Sequence, residues 1–306
     1  MNLPAPIALL FPGQGAQSVG MGKELAEVFP AAKALFEEAD AILGYGLSKL
    51  CWEGPAEELT RTEHCQPALY VASMAALAAL ESAAPLKPAA AAGLSLGEYT
   101  ALAAAGALSF ADGLKLVRLR GQAMEEAAKD HPGTMASVLG LELEPLQEVC
   151  AQAGAQVANL NSPGQVVISG TAEAVAAASA KAKERGAKRV IPLEVSGAFH
   201  SRLMEPAAIR LEQALAGTAV QAPRYPVASN VTGGYHTDAG QIRQLLVRQL
   251  TEPVQWIACV RTMSQAGIKT YLEVGPGTVL KGLVRKIDPE LVVHSAGTAE
   301  EIRQLA

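Results

Sequence analysis

Aromatic side chains make up only 4% of the 306 residues, and charged ones 18%. With 50% hydrophobic residues a sizeable core is still available. Its main filler is alanine, which suits closely packed helices. Positive charge is not in excess: 25 Lys and Arg face 30 Asp and Glu, for a net charge of −5 and a pI near 5.6. That argues against a nucleic-acid partner, which would need a basic face, but leaves room for a local anion site. The four cysteines (51, 65, 150 and 259) are widely spaced and form no CxxC pair. This fits free thiols in a reducing compartment, with no metal, better than a disulfide framework or a zinc site. No apolar run reaches the ~18 residues of a spanning helix. The N-terminal MNLPAPIALLFPGQG has no basic segment ahead of a short apolar run, so it does not read as a signal peptide. A soluble, cytoplasmic protein with no membrane partner is expected.

The length fits one large domain, or one domain carrying an insertion. "PIALLFPGQGAQ" predicts a buried strand at 6–11 and a Gly-rich turn. Helical patterns follow at 21–29, 31–43 and 67–83, then a strand at 89–93 and a helix at 112–128. Residues 134–140, 155–160, 165–170 and 188–195 read as strands, with helices at 144–153 and 171–186. That β-α-β-β-α-β order is the one found in ferredoxin-like units. Residues 129–198 are therefore expected to form an inserted subdomain between 1–128 and 199–306. Beyond it the pattern predicts helices at 202–216, 238–250 and 253–266, and strands near 225–229 and at 269–274.

Gly93-Leu94-Ser95-Leu96-Gly97 matches G-x-S-x-G between the alanine-rich strand and a helix. In a nucleophile elbow the serine sits on a sharp strand-to-helix turn, and the glycines allow the chain to turn without Cβ clashes. The other reading is a helix cap, with Ser95 accepting from the Glu98 N–H and Glu98 closing a capping box.

A serine nucleophile needs a base. Of the histidines at 64, 131, 200, 236 and 294, His200 stands in "VSGAFHSRLMEP", where a strand gives way to a helix and catalytic groups cluster. His131 precedes a proline at a domain junction, His64 and His236 lie in polar turns, and His294 ends a strand-like run. On the helix 112–128, Lys115, Arg118, Gln122, Glu125, Glu126 and Lys129 share one arc, while Arg120 falls in the apolar arc beside Gly121. A guanidinium stays charged, so burying it calls for an anion. The anion could be a structural carboxylate, or a substrate carboxylate held by both prongs of the guanidinium; a third reading is that Arg120 snorkels to the surface.

Several motifs occur together and in order: "LFPGQGAQSVGMG" (10–22), "GLSLGEYTALAAAGALSF" (93–110), "LRGQAMEEA" (119–127), "NSPGQVVISG" (161–170), "GAFHSRLM" (197–204), "PVQW" (253–256) and "EVGPGTVLKGL" (273–283). As a set covering nearly the whole chain, they resemble the malonyl-CoA:acyl carrier protein transacylases of bacterial fatty acid synthesis and the related polyketide synthase acyltransferase domains. The resemblance implies an α/β-hydrolase-like large subdomain with a ferredoxin-like insert and an active site between them. It implies a ping-pong transfer from malonyl-CoA through Ser95 to the phosphopantetheine thiol of acyl carrier protein, with His200 as base. Coenzyme A is then part of a substrate, and no cofactor is implied. Arg120 would hold the malonyl carboxylate, and the backbone N–H groups of Gln14 and Leu96 would form the oxyanion hole. Gln255, in PVQW, would orient His200 through its main-chain carbonyl. Asn161 matches a polar position of the NSPGQ motif. Lys188 and Arg189 match basic residues on the coenzyme A or carrier-protein approach; the plainer reading of both is solvated charge.

The chain departs from the family pattern at two places. Position 94 is Leu where GHSLGE is usual, and Gly197 precedes Ala198-Phe199-His200. Phe199 favours malonyl, while Leu94 and Gly197 leave methylmalonyl open. Three other functions compete: a serine esterase or thioesterase, an inactive carrier-protein-binding relative, and a free-standing acyltransferase serving a polyketide synthase. An esterase would usually place its histidine near the C-terminus and gives Arg120 no task.

Overall fold

The structure, a computed structural model, describes residues 3–306. Its strands are β1 (Ile7–Phe11), β2 (Pro88–Gly93), β3 (Thr134–Leu139), β4 (Gln156–Ser162), β5 (Gln165–Gly170), β6 (Arg189–Pro192), β7 (Thr270–Val274) and β8 (Val292–Ala296). They form two four-stranded sheets in a mixed α/β fold, ordered β2-β1-β7-β8 and β4-β5-β3-β6. The first sheet is parallel throughout. β1 and β7 are buried along their whole length, as strands covered by helices on both faces must be. Alternate residues of β1 serve the two faces. Leu9 and Phe11 pack in the cluster that holds Leu69 and Val117, from the helices Thr62–Ala83 and Phe110–Asp130. Ala8 and Leu10 pack in a second cluster with Trp256, Val260 and Leu280.

The second sheet is antiparallel and drawn wholly from the middle of the chain. One face is closed by the helices Leu143–Ala153 and Ala172–Glu184 through Leu146, Val149, Val175 and Ala178. β4 is tied to the segment ahead of the helix Trp256–Gln265, whose Val254 packs in the same cluster as Ala8 and Leu10. The Val254 N–H donates to the Ala158 carbonyl at 2.8 Å, and the Leu160 N–H donates to the Val254 carbonyl at 2.9 Å.

The register of β1 and β2 sets the site. Phe11 pairs with Gly93, so the turn after β1 and the turn after β2 leave the sheet side by side at its carboxyl edge. That edge is where open parallel α/β sheets bind ligands. Alanine is a poor strand former, yet β2 reads PAAAAG. Tertiary packing overrides propensity here, because the helix Leu96–Ala104 comes so close that Gly93 and Gly97 touch. A Cβ on Gly93 would overlap the Gly97 carbonyl, and one on Gly97 would overlap the Phe11 carbonyl. Larger residues would force this layer apart.

Most expected elements are present within a few residues. Four helices, Leu47–Glu53, Ala56–Thr60, Val279–Ile287 and Ala299–Leu305, have no counterpart among the expected elements. Residues 225–229 do not form a full strand; the segment touches β2 through a single parallel bridge, Ala91 with Val227. Glu125 is buried rather than solvated, because Arg61 reaches it from another helix end and the Glu63 N–H donates to it. Among the described residues, no helix is long and apolar enough to cross a membrane.

Candidate active site

Ser95 sits on the turn between β2 and the helix Leu96–Ala104 with φ 52° and ψ −101°. His200 has φ 55°, and these are the only two non-glycine residues with positive φ among those described. Such conformations cost of order 1–3 kcal/mol each and persist only where surrounding structure imposes them. The two strained residues meet: Ser95 Oγ lies 2.9 Å from His200 Nε2, across 105 residues of sequence. The helix-cap reading of Ser95 fails, since its side chain makes no capping bond. Glu98 is fully buried and turned elsewhere.

His200 Nδ1 lies 2.7 Å from the main-chain carbonyl of Gln249. A carbonyl only accepts, so Nδ1 carries the proton and Nε2 is left as the acceptor facing Ser95. Burial and the Arg120 cation pull the His200 pKa down to about 4, against the opposing effect of main-chain hydrogen bonds at Gln249 and Glu252. The imidazole is therefore neutral near pH 7 and able to take the serine proton.

The orienting carbonyl corrects an expectation: it belongs to Gln249, not Gln255. Gln249 caps the helix Ala239–Arg248, where the last carbonyls lack intrahelical donors and are free for a side chain. The Gln255 carbonyl is already used, accepting from the Cys259 N–H at 3.0 Å in the first turn of the next helix.

Arg120 is 1% exposed. It donates to Gln66 Oε1 at 2.8 Å, to Gln249 Oε1 at 3.0 Å and to Ser95 Oγ at 3.0 Å. All three acceptors are neutral oxygens, and Nε has no partner among the described residues. The guanidinium also lies 5.3 Å from the centroid of the Tyr99 ring. Of the three readings of this arginine, snorkelling is excluded by burial, and no structural carboxylate bonds it. What remains is a cation, aimed at the serine, that no carboxylate bonds among the described residues; Glu98, held by Gln249, acts on it only at a distance. Gly121 lets its helix approach closely, since a Cβ there would strike the Thr62 carbonyl.

These groups open on a cleft of about 290 Å³ between the two sheets, whose walls include Gln14, Leu96, Met124, Asn159, Asn161 and Phe199. The Leu96 and Gln14 N–H groups donate to no protein acceptor among the described residues. Asn161 Oδ1 is buried without a partner. Leu94 also lines the cleft, so the position that is usually histidine presents an apolar surface. Lys188 and Arg189 are exposed and do not line it.

Several contributing residues were not anticipated. Gln249 is a hub, its side-chain nitrogen donating to the Ser95 carbonyl at 3.0 Å and to Glu98 Oε2 at 2.5 Å. Glu98 Oε1 lies 2.7 Å from Nε2 of the buried His236. Asn230 bonds the elbow itself. Only Gln66 left a trace in sequence, as a lone amide at the head of the apolar run that follows it.

The acyl transferase domain family matches residues 8–297. The malonyl CoA-acyl carrier protein transacylase of Bacillus subtilis (strain 168) is 48% identical over 301 residues, covering 97% of this chain and 95% of that one. The structure of the malonyl CoA-acyl carrier protein transacylase from Coxiella burnetii superposes with a TM-score of 0.96 at 40% identity, over 99% of this chain and 97% of that one. A malonyl-transacylase solved in complex with its type II polyketide synthase acyl-carrier protein superposes with a TM-score of 0.94 at 40% identity, over 97% and 98% of the two chains. The chain belongs to the acyl transferase domain family and, within it, to the malonyl-CoA:acyl carrier protein transacylases.

Proposed function

We propose that this enzyme transfers the malonyl group of malonyl-CoA to the phosphopantetheine thiol of acyl carrier protein through a malonyl ester on Ser95. The observation that carries this reading is the buried Arg120 guanidinium, bonded only to neutral oxygens, 3.0 Å from Ser95 Oγ. An acyl group ending in a carboxylate supplies the missing anion and delivers its thioester to the serine. A plain esterase substrate leaves the cation unpaired.

In the first half-reaction Ser95 Oγ attacks the thioester carbonyl while its proton passes to His200 Nε2. The oxyanion is held by the Leu96 and Gln14 N–H groups. Collapse expels the coenzyme A thiolate, which takes the proton back from His200. The second half-reaction repeats these steps in reverse, with His200 deprotonating the carrier thiol and Ser95 leaving. Arg120 grips the malonyl carboxylate throughout. Asn161 offers an acceptor on the cleft wall. Lys188 and Arg189 meet the charged part of coenzyme A or the carrier protein outside it.

We read 1–128 and 199–306 as an α/β-hydrolase-like subdomain and 129–198 as a ferredoxin-like insert. The strand–turn–helix at Ser95 supports the first; the antiparallel β4-β5-β3-β6 order supports the second. We place the enzyme in the cytoplasm, in fatty acid synthesis. The test is transfer of labelled malonyl from malonyl-CoA to holo-carrier proteins of fatty acid and polyketide systems, with water as the competing acceptor. Malonyl-carrier protein should form much faster than free malonate. Hydrolysis without transfer would refute the reading, and faster loading of a polyketide carrier would reassign the pathway.

A further inference from the structure

Residues 226–230 run alongside the outer edge of β2. The Ala91 N–H donates to the Pro226 carbonyl at 2.8 Å, and the Ala228 N–H donates to the Ala91 carbonyl at 2.9 Å. Continued as a parallel ladder, the pairing would run next from the Gly93 N–H to the Ala228 carbonyl and then, into the turn, through two more rungs: from the Asn230 N–H to the Gly93 carbonyl, and from the Ser95 N–H to the Asn230 carbonyl. Neither of these last two forms. The Asn230 N–H is drawn off to Glu98 Oε2 at 3.1 Å, and the Asn230 carbonyl accepts from the Gln255 N–H at 2.7 Å.

The Asn230 side chain fills both places. Nδ2 donates to the Gly93 carbonyl at 2.8 Å, and Oδ1 accepts from the Ser95 N–H at 2.6 Å. The residue is 0% exposed. One end of its amide meets a donor and the other an acceptor, so its orientation is fixed. It brackets Leu94 and grips the chain on both sides of the turn that carries the strained φ of Ser95. Because the Ser95 N–H is committed to Asn230, the Leu96 N–H is the donor at the start of the helix Leu96–Ala104 left for an oxyanion.

We propose that Asn230 is a positioning residue for the acyl transfer: its carboxamide replaces two rungs of a parallel ladder and holds Ser95 in the conformation that aims Oγ at His200. The proposal rests on Ser95 being the nucleophile. Asn230 does not itself line the cleft and makes no hydrogen bond to Arg120, its one link to the cleft being the Ser95 main chain, so its loss acts on the acylation step and leaves substrate binding unchanged.

The test is single-turnover acylation by malonyl-CoA in Asn230→Ala and Asn230→Asp, per folded molecule counted by circular dichroism. In Asn230→Ala the acylation rate constant should fall about 100-fold, the scale of a small misplacement of reacting groups. The malonyl-CoA concentration giving half the maximal rate should stay within about threefold. Asn230→Asp supplies a signature that a merely structural role would not show. A protonated carboxyl can donate to the Gly93 carbonyl and accept from the Ser95 N–H, as the amide does; a carboxylate cannot donate. The charged and titratable groups around position 230 are Glu98, His236 beyond it, Cys259 (whose sulfur lies 3.9 Å from Nδ2), and across Ser95 the pair His200 and Arg120. Lowering the pH from neutrality should therefore speed Asn230→Asp per folded molecule, while the wild-type rate stays level or falls. Acylation of folded Asn230→Ala at within about threefold of wild type would overturn the proposal. So would an Asn230→Asp profile parallel to wild type. A wild-type chain that forms no acyl adduct would show instead that the nucleophile assignment had failed, before either variant was compared.

Discussion

Replacing Arg120 by alanine separates a substrate receptor from a structural cation. The guanidinium is 1% exposed and bonded to Gln66, Gln249 and Ser95. A malonyl carboxylate bound there pairs with a charge already stripped of water. Removing one partner of a buried charge pair costs about 2–4 kcal/mol, or roughly 30- to 1,000-fold in kcat/KM at 1.4 kcal/mol per factor of ten. Acetyl-CoA has no carboxylate, so it loses only what the Arg120 bond to Ser95 Oγ contributes to any acyl group. The quantity to measure is thus the malonyl-to-acetyl ratio of kcat/KM in wild type, Arg120→Ala and Arg120→Lys, with thermal melts to confirm folding. The ratio should collapse by at least about 30-fold in Arg120→Ala. It should recover only in part in Arg120→Lys, which keeps the charge but not the planar fork. Equal losses for both substrates would refute the reasoning and make Arg120 a structural residue.

Because burial and Arg120 hold His200 near 4 rather than 6.5, the neutral base persists in acid. The acidic limb of kcat/KM should lie well below the pH at which an ordinary histidine titrates, and Arg120→Ala should move it upward, since the lost cation was lowering the pKa; a limb at 6.5 in both enzymes would contradict this. Gly97→Ala forces a Cβ onto the Phe11 carbonyl, and should lower stability by more than the ~1–3 kcal/mol of ordinary overpacking; a denaturant midpoint unchanged from wild type would be the failing result. Gln249→Ala strips bonds from Arg120, Ser95 and Glu98, and should slow acylation roughly 5- to 150-fold, the range for 1–3 kcal/mol. Gln255→Ala should change it by less than about threefold; both variants keep their main-chain carbonyls, so the reverse ranking in single-turnover assays would move the side-chain contribution from Gln249 to Gln255.

What the sequence revealed depended on whether chemistry and local pattern coincide in one residue. Ser95 lies between two glycines, His200 at a strand-to-helix turn, and Arg120 on an apolar helix face, so each stood out as a candidate, although the choice among its readings waited for the other two. The carbonyl that orients His200 did not stand out, because a main-chain acceptor has no sequence signature: any residue at the end of the helix Ala239–Arg248 supplies one. Asn230 was hidden for a different reason. Its partners lie 135 and 137 residues away, and only the docking of 226–230 against β2 unites them. The strand expected near 225–229 was a true sign of extended chain, although its ladder passes from backbone to side chain after Ala228. His236, surrounded by glycine, threonine and aspartate, gave no hint of burial, since the carboxyl that engages it comes from Glu98 on the elbow helix. Glu125 reads as solvated on a helical wheel, which cannot represent Arg61 arriving from another helix end.

The most direct test of Ser95 as an acyl carrier is intact-protein mass spectrometry of wild type and Ser95→Ala after mixing with malonyl-CoA, followed by addition of holo-acyl carrier protein. The expected result is a single malonyl-sized adduct that maps to Ser95, is absent from Ser95→Ala, and disappears as malonyl-carrier protein forms. An adduct that persists in Ser95→Ala, or transfer that proceeds in wild type with no adduct at any time point, would contradict the malonyl-serine mechanism.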